Sequence, residues 1–522
     1  MGRCRWALLA GTLFLPAATA AQFAPVGVPR GLVRLDLGGA LESTDRRYCD
    51  GTPEDLAADL SSPTLGSDRI PGLTDADARL SRITGDASAR LDLGGLSATA
   101  QGTRSVGVIG LAVGVTSHLT LFARLPLARA SVTTRLTLDS TSGNTGFNPA
   151  DPVFGTAAGA TQTAAFFQQF GTALQSLATR LQAGVYDGDP SLRALAQATL
   201  TSGTSLRNDL FGLLADPTTS AAFAPTASSQ PGVAVSAKLQ ALQATLAGSL
   251  GVPGFASAPA LPTTRASQAD FTNYLTNPNG PIVGRLDSLP LSQRGDAEVG
   301  GVWTLVDRWN DDAHGTGLRV AVSALARLGT GFPPRPSYFL DLGTGTGHGA
   351  FGGTVTADIG FGRLAARLTG GYLHQLAGNQ LVRLTPPDQP FAPFTQIVTV
   401  RVDPGSVFTI GAHPLLRLLP SFGIHVGVDY WRQSSEQVAY ASPADSIPGI
   451  PASVLAVASR LGVTTFSAGV TYSRSATAKP GFAGLPLDAN WTFEQVIAGS
   501  GGRVQKTQAV RAGLRLYYRL FK

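Results

Sequence analysis

His425 and Asp429 stand four residues apart in a run of alternating polarity, so on an extended strand they share one face, and Ser467 falls on the next such run. Serine, imidazole and carboxylate are the groups of nucleophilic acyl transfer, in which the acid orients the base that takes the serine proton. No hydrolase motif surrounds these three, and a His–Asp pair facing water is ordinarily a polar pair. The glycine run Gly343-Thr344-Gly345-Thr346-Gly347-His348-Gly349 contains a formal G-x-G-x-x-G at Gly347, Gly349 and Gly352. It lacks the strand-to-helix setting in which such glycines cradle a phosphate. No His, Cys, Asp and Glu cluster has metal-ligand spacing. The sequence therefore points away from an enzyme and requires no cofactor or metal.

What remains is charge placed singly, every second residue. Arg34, Asp36, Glu298, Arg319, Arg327, Arg363, Arg367, Asp429, Arg511, Arg515 and Arg519 each occupy one face of an alternating segment. The last segment is the clearest: Arg511, Gly513, Arg515, Tyr517 and Arg519 oppose Ala512, Leu514, Leu516, Tyr518 and Leu520. A period of two with faces so unlike is a strand between oil and water. An arginine facing lipid at mid-bilayer costs roughly 2–4 kcal/mol, so the charged faces are expected to line a lumen. Two readings stay open: the charges neutralise one another and fill a narrow bore, or they form a basic stripe that draws carboxylates.

The positioning elements follow from this. Arg3 and Arg5, the apolar Ala7–Leu15 and Ala18-Thr19-Ala20 read as a signal peptide over 1–20, too short for a spanning helix. Only 14% of the chain is charged and there are 62 glycines, which suits a wall facing lipid better than an aqueous globule. The net charge of +6 falls to about +4 without Arg3 and Arg5 and shows no basic block, which argues against nucleic acid.

Alternating segments number about 12: Gly31–Glu42, Ser105–Val115, Leu119–Arg129, Glu298–Val306, Leu318–Leu328, Phe351–Ile359, Arg363–Leu373, Ile397–His413, Phe422–Trp431, Gly462–Tyr472, Trp491–Ala498 and Gln505–Phe521. The weakly alternating Ala87–Ala98 makes 14 possible. Tight connections at Ser117, Asp311, Gly362 and Pro420 fall on one side and long ones mostly on the other, as in an outer-membrane barrel. The expected fold is an all-β transmembrane barrel of antiparallel strands with a large helical extracellular insertion. Residues 21–139 hold the first strands and an external loop, 140–293 the insertion, and 294–522 the remaining strands.

Within the insertion, Phe166, Phe170, Leu174, Leu177 and Leu181 share a helical face, and Asp189-Pro190-Ser191 reads as a helix start. Phe166, Phe167, Phe170 and Phe211 are candidates for a greasy landing surface at the barrel mouth.

Gly107–Pro126, Gly295-Asp296-Ala297-Glu298-Val299-Gly300, Leu318–Gly331 and Asp403-Pro404-Gly405 resemble segments of outer-membrane transporters of the phenol-degradation meta-pathway type, distant kin of long-chain fatty-acid channels. The terminal strand resembles the signal read by the barrel-insertion machinery, with Lys522 rather than Phe521 at the end. The resemblance implies passive uptake of a small hydrophobic or aromatic solute through a barrel set in outer-membrane lipid. A structural or adhesive barrel without transport is the alternative. An N-terminal segment Gln22–Arg30 drawn into the bore would favour the channel, and a bore sealed by Arg–carboxylate pairs the alternative.

Overall fold

The computed structural model describes residues 26–309, 316–386, 388–419, 421–473 and 487–519. The signal segment 1–20, Gln22–Pro25, the connections at Asp311 and Pro420, and Leu520–Lys522 lie outside them.

The wall has twelve antiparallel strands. The first six are β1 (Leu32–Thr44), β2 (Gly95–Gly114), β3 (Leu119–Asp139), β4 (Ala297–Arg308), β5 (Thr316–Leu328) and β6 (Ala350–Phe361). The others are β7 (Leu364–Gln375), β8 (Ser406–Leu419), β9 (Phe422–Gln433), β10 (Leu461–Ser473), β11 (Leu487–Ser500) and β12 (Gln508–Arg519). Each pairs with its chain neighbours, and β1 closes the ring on β12, with Arg34 opposite Tyr517 and Asp36 opposite Arg515. Closure leaves no ladder edge to satisfy in a medium without water.

Side chains alternate as the sequence requires. On β1, Arg34, Ala40 and Glu42 are buried inward while Leu37 and Leu41 are exposed outward. Exposed Ile109, Leu111, Leu121, Leu125, Trp303, Val355, Ile410, Val426 and Tyr518 continue this outward apolar surface around the wall. So large an apolar surface is tolerable only against lipid. Further along β2 the outward residues become Thr103, Gln101, Thr99 and Ser97, and along β3 Arg129, Ser131, Thr133 and Arg135. These two strands, 20 and 21 residues long, therefore rise beyond the bilayer.

Two expectations need correction. The segment Ile397–His413 is not one strand: it breaks at Pro404-Gly405, where Gly405 takes a φ of +74°. Ile397–Asp403 leaves the wall and pairs outside it with Gly378–Arg383 and Gln437–Tyr440. Ala87–Ala98 is no separate strand; it is a connection that enters the raised part of β2 at Gly95.

Above the wall sit α1 (Thr74–Thr84), α2 (Ala157–Gln182), α3 (Pro190–Leu214), α4 (Gln230–Ala244) and α5 (Gln268–Thr276). Thr156 caps α2 through Gly159 N at 3.0 Å, and Asp189 caps α3 through Ser191 N and Leu192 N at 2.9 and 3.1 Å. Their apolar faces share one core with the inward faces of the raised strands, Leu96, Ala98, Val132 and Leu136. The protruding hairpin is thus the post on which the helices pack.

Candidate functional site

The inner wall carries a set of arginines, most of them matched to a carboxylate on their own or an adjacent strand, while Arg124 lies over Phe122 and Arg417 over Trp309. On one side Arg34 grips Asp36 with two bonds of 2.7 and 3.1 Å, Arg515 approaches Asp36 at 3.6 Å, and Tyr517 donates to Asp488 at 2.5 Å. Higher up, Glu42 accepts from Arg104 at 2.7 Å and from Arg511 at 3.1 Å, and Arg511 also reaches Glu494 at 2.6 Å. Across the bore Arg327 meets Glu298 at 2.9 Å. Asp358 holds Arg367 at 2.6 and 2.8 Å with Arg319 at 3.6 Å, and Asp307 takes Arg319 at 3.3 Å. Pair register explains the matching: Arg319 lies directly opposite both Asp307 and Asp358, and Asp358 opposite Arg367.

Of the eleven lumen candidates, Arg34, Asp36, Glu298, Arg319, Arg327, Arg367, Arg511 and Arg515 belong to these clusters. Asp429 pairs with His413 at 3.0 Å, not with His425. Arg363 is exposed at the turn after Gly362, where its carbonyl accepts from Arg417 N. Arg519 ends β12 exposed at the same rim. Glu42, Arg104, Asp358, Asp488 and Glu494 were not singled out from the sequence, although inward parity with their neighbours was a usable signal for each.

The Ser–His–Asp grouping comes apart in space. His425 touches Thr492 at 3.4 Å, Asp429 is taken by His413, and Ser467 Oγ has no hydrogen-bond partner among the described residues.

The glycine run has a different use. Buried Asp296 accepts from Gly331 N at 2.8 Å and from Thr346 N and Oγ1 at 2.7 and 2.9 Å, tying two stretches of one external connection to the wall. A Cβ on Gly345 would lie 2.8 Å from the Asp296 carboxyl carbon, so glycine is what lets the backbone approach. This tie sits where β3 changes partner. Leu119–Arg124 pair with β4, Leu127–Val132 pair with the short strand Ser288–Arg294, and Gly295 N donates to Pro126 O between them at 2.8 Å.

At the short-turn end the N-terminal segment enters the bore. Val28 N donates to Thr120 Oγ1 at 2.7 Å, Arg34 reaches Val26 O at 3.2 Å, and Val28 packs with Leu32, Ala112 and Phe122.

At the opposite end the connections converge on a partly open cleft with a cavity volume of about 120 Å³. Arg47 and Asp59 come from the β1–β2 connection, Pro334 to Asp341 from β5–β6, Leu381 to Pro390 from β7–β8, Leu455 from β9–β10 and Arg503 from β11–β12. Loops leaving so many points of the ring place the cleft over the mouth. Arg47 and Arg503 are paired with Asp59, Arg47 also meets Glu54 at 2.7 Å, and Arg335 is forked onto Asp341 at 2.8 and 3.1 Å.

Phe166, Phe167 and Phe170 are not a landing surface. They are buried among the helices, where Phe170 stacks on Phe255 at 4.5 Å, because the apolar face of α2 meets other helices and not solvent. Phe211 alone of the four is exposed, with its edge against Phe167 at 5.3 Å.

A closed, even-numbered antiparallel wall with an apolar exterior, short turns at one end and long connections at the other is built to span an outer membrane. The protein is an outer-membrane β-barrel. Similar solved structures include an outer membrane channel from Pseudomonas putida F1, 9% identical over 95% of this chain and 100% of that one, TM-score 0.42. The transport unit of the autotransporter AIDA-I from Escherichia coli is 8% identical over 97% of this chain and 95% of that one, TM-score 0.32. A FadL homologue from Pseudomonas aeruginosa is 9% identical over 94% and 90%, TM-score 0.26. No family model and no curated protein sequence matches the chain.

Proposed function

We propose that the barrel is a narrow passive channel for small hydrophobic or aromatic molecules. The observation that carries this reading is the cleft over the mouth, where Tyr338, Phe339, Leu340, Leu381, Leu455 and several prolines offer one small molecule an apolar wall with a few polar groups. Beneath it the arginines of the bore are largely answered by neighbouring carboxylates, which leaves little net field to select ions over neutral solutes. Passage requires Val26–Pro29 to shift from Thr120, a displacement limited to a few hydrogen bonds and one small apolar contact. Insertion through the barrel-assembly machinery accords with the alternation of β12 up to Tyr518.

One observation favours the second reading, a structural or adhesive barrel. Arg34, Arg327, Arg367 and Arg515 are each at most 4% exposed, so much of the bore is filled by side chains. Uptake of radiolabelled phenol and toluene into proteoliposomes decides between them. Flux above that of protein-free vesicles, slowed by cross-linking residue 28 to residue 120, supports the channel. Flux equal to the protein-free control removes it.

A further inference from the structure

Resting on the channel reading for its purpose, but not for its test, we propose that the mouth cleft binds small aromatic carboxylates, with Arg383 as the anion anchor. The charges around the cleft do not cancel. Arg335 is spent on Asp341, and Arg47 and Arg503 on Asp59 and Glu54. Arg383 faces no carboxylate among the described residues. Its Nε donates to Pro336 O at 3.2 Å and its Nη1 to Ile282 O and Ala392 O at 3.1 and 2.6 Å, while Nη2 is buried without a hydrogen-bond partner.

Carbonyls fix the guanidinium in direction but do not neutralise it. A cation left uncompensated where water is thinned attracts an anion more strongly than one at an open surface. Burial alone pushes the Arg383 side chain down to about 10, as a charge without an ionic partner requires. The neighbours set the rest of the ligand. Tyr338 and Phe339 line the same cleft beside Pro334, Pro336 and Leu381, surfaces suited to a flat ring. The cavity volume, about 120 Å³, limits the ligand to a single small ring.

The alternative is that Arg383 only staples loops through their carbonyls. Calorimetric titration of the detergent-solubilised full chain with benzoate, benzyl alcohol and acetate separates the two. Benzoate should bind about tenfold more tightly than either of the others, because only it satisfies both ring and charge. Arg383→Gln should erase that preference, and Arg383→Lys should keep most of it. Leu381→Trp, which fills the cleft from an exposed position and leaves the carbonyl contacts of Arg383 alone, should weaken benzoate by a similar factor. Equal affinity for benzoate and benzyl alcohol in the unaltered protein overturns the proposal without recourse to any variant. So does unchanged benzoate binding in Arg383→Gln. Benzoate binding in a protein that fails to pass phenol or toluene would end the channel reading and leave this site standing.

Discussion

Inside the ring Asp358 answers Arg367 and Arg319, and Glu42 answers Arg104 and Arg511, whereas the helices above share a core of Phe166, Phe170, Leu177 and Leu210, with the Arg82–Asp209 pair at its edge. The wall is stabilised by its ladder, and its interior is a problem of matching charges. The cap is stabilised by excluded water, and its interior is a problem of matching shapes. A side chain removed from one region should therefore fail differently from one removed from the other.

Asp358→Leu should show the largest effect, about 3–5 kcal/mol, since it removes the buried carboxylate that Arg367 grips with two bonds and that Arg319 shares with Asp307. Adding Arg367→Met should recover part of it. The midpoint of urea unfolding in detergent, followed by tryptophan fluorescence, reads both. Phe170→Ala should cost about 3 kcal/mol from the cavity left in the helical core, while Phe211→Ala, at a partly exposed position, should cost under about 1. Limited proteolysis between α2 and α3 should report the first loss before the barrel itself opens. Equal sensitivity at the two phenylalanines would deny that the helices have a core of their own.

A smaller effect, about 1–3 kcal/mol, is expected for Gly345→Ala, whose new methyl meets the Asp296 carboxyl and the Gly331 Cα, each at 2.8 Å. Loosening of 329–349 by hydrogen exchange, with the wall strands unchanged, is the expected signature. The smallest concerns pH. Burial raises the Glu436 carboxyl, outside the wall, from 4.5 to about 7. The unfolded chain then ionises first, so this group makes stability fall as pH rises from about 4.5 to about 7, with no further loss above. Glu436→Gln should flatten that part of the profile, and an unchanged slope would assign the dependence elsewhere.

The wall could be read from the sequence because its code is local. Alternation at Val33, Arg34, Leu35 and Asp36 states at once that a strand is present and which side faces lipid. The break at Pro404-Gly405 was visible as residues, but a proline and glycine can bend a strand or end it, and only the partners of Ile397–Asp403 decide. The helix faces were equally plain, as Phe166, Phe170 and Leu174 show, yet a stripe of apolar residues does not say whether it meets a ligand or another helix. The cleft was hidden for a stronger reason. Arg47, Tyr338, Arg383 and Arg503 come from separate connections, none with a periodicity, and they acquire a common purpose only when the ring brings the loops together.

The seam between β1 and β12 joins the two wall strands farthest apart along the chain. Local hairpins can zip early, but this last junction must wait until every intervening strand is in place, because its partners meet only when the perimeter is complete. Val26–Pro29, contiguous with β1 and held by Thr120, lies on the inner side of the closed wall beside that seam. Assembly order thus sets the slow step: the wall's last junction is also the one that spans the whole length of the chain.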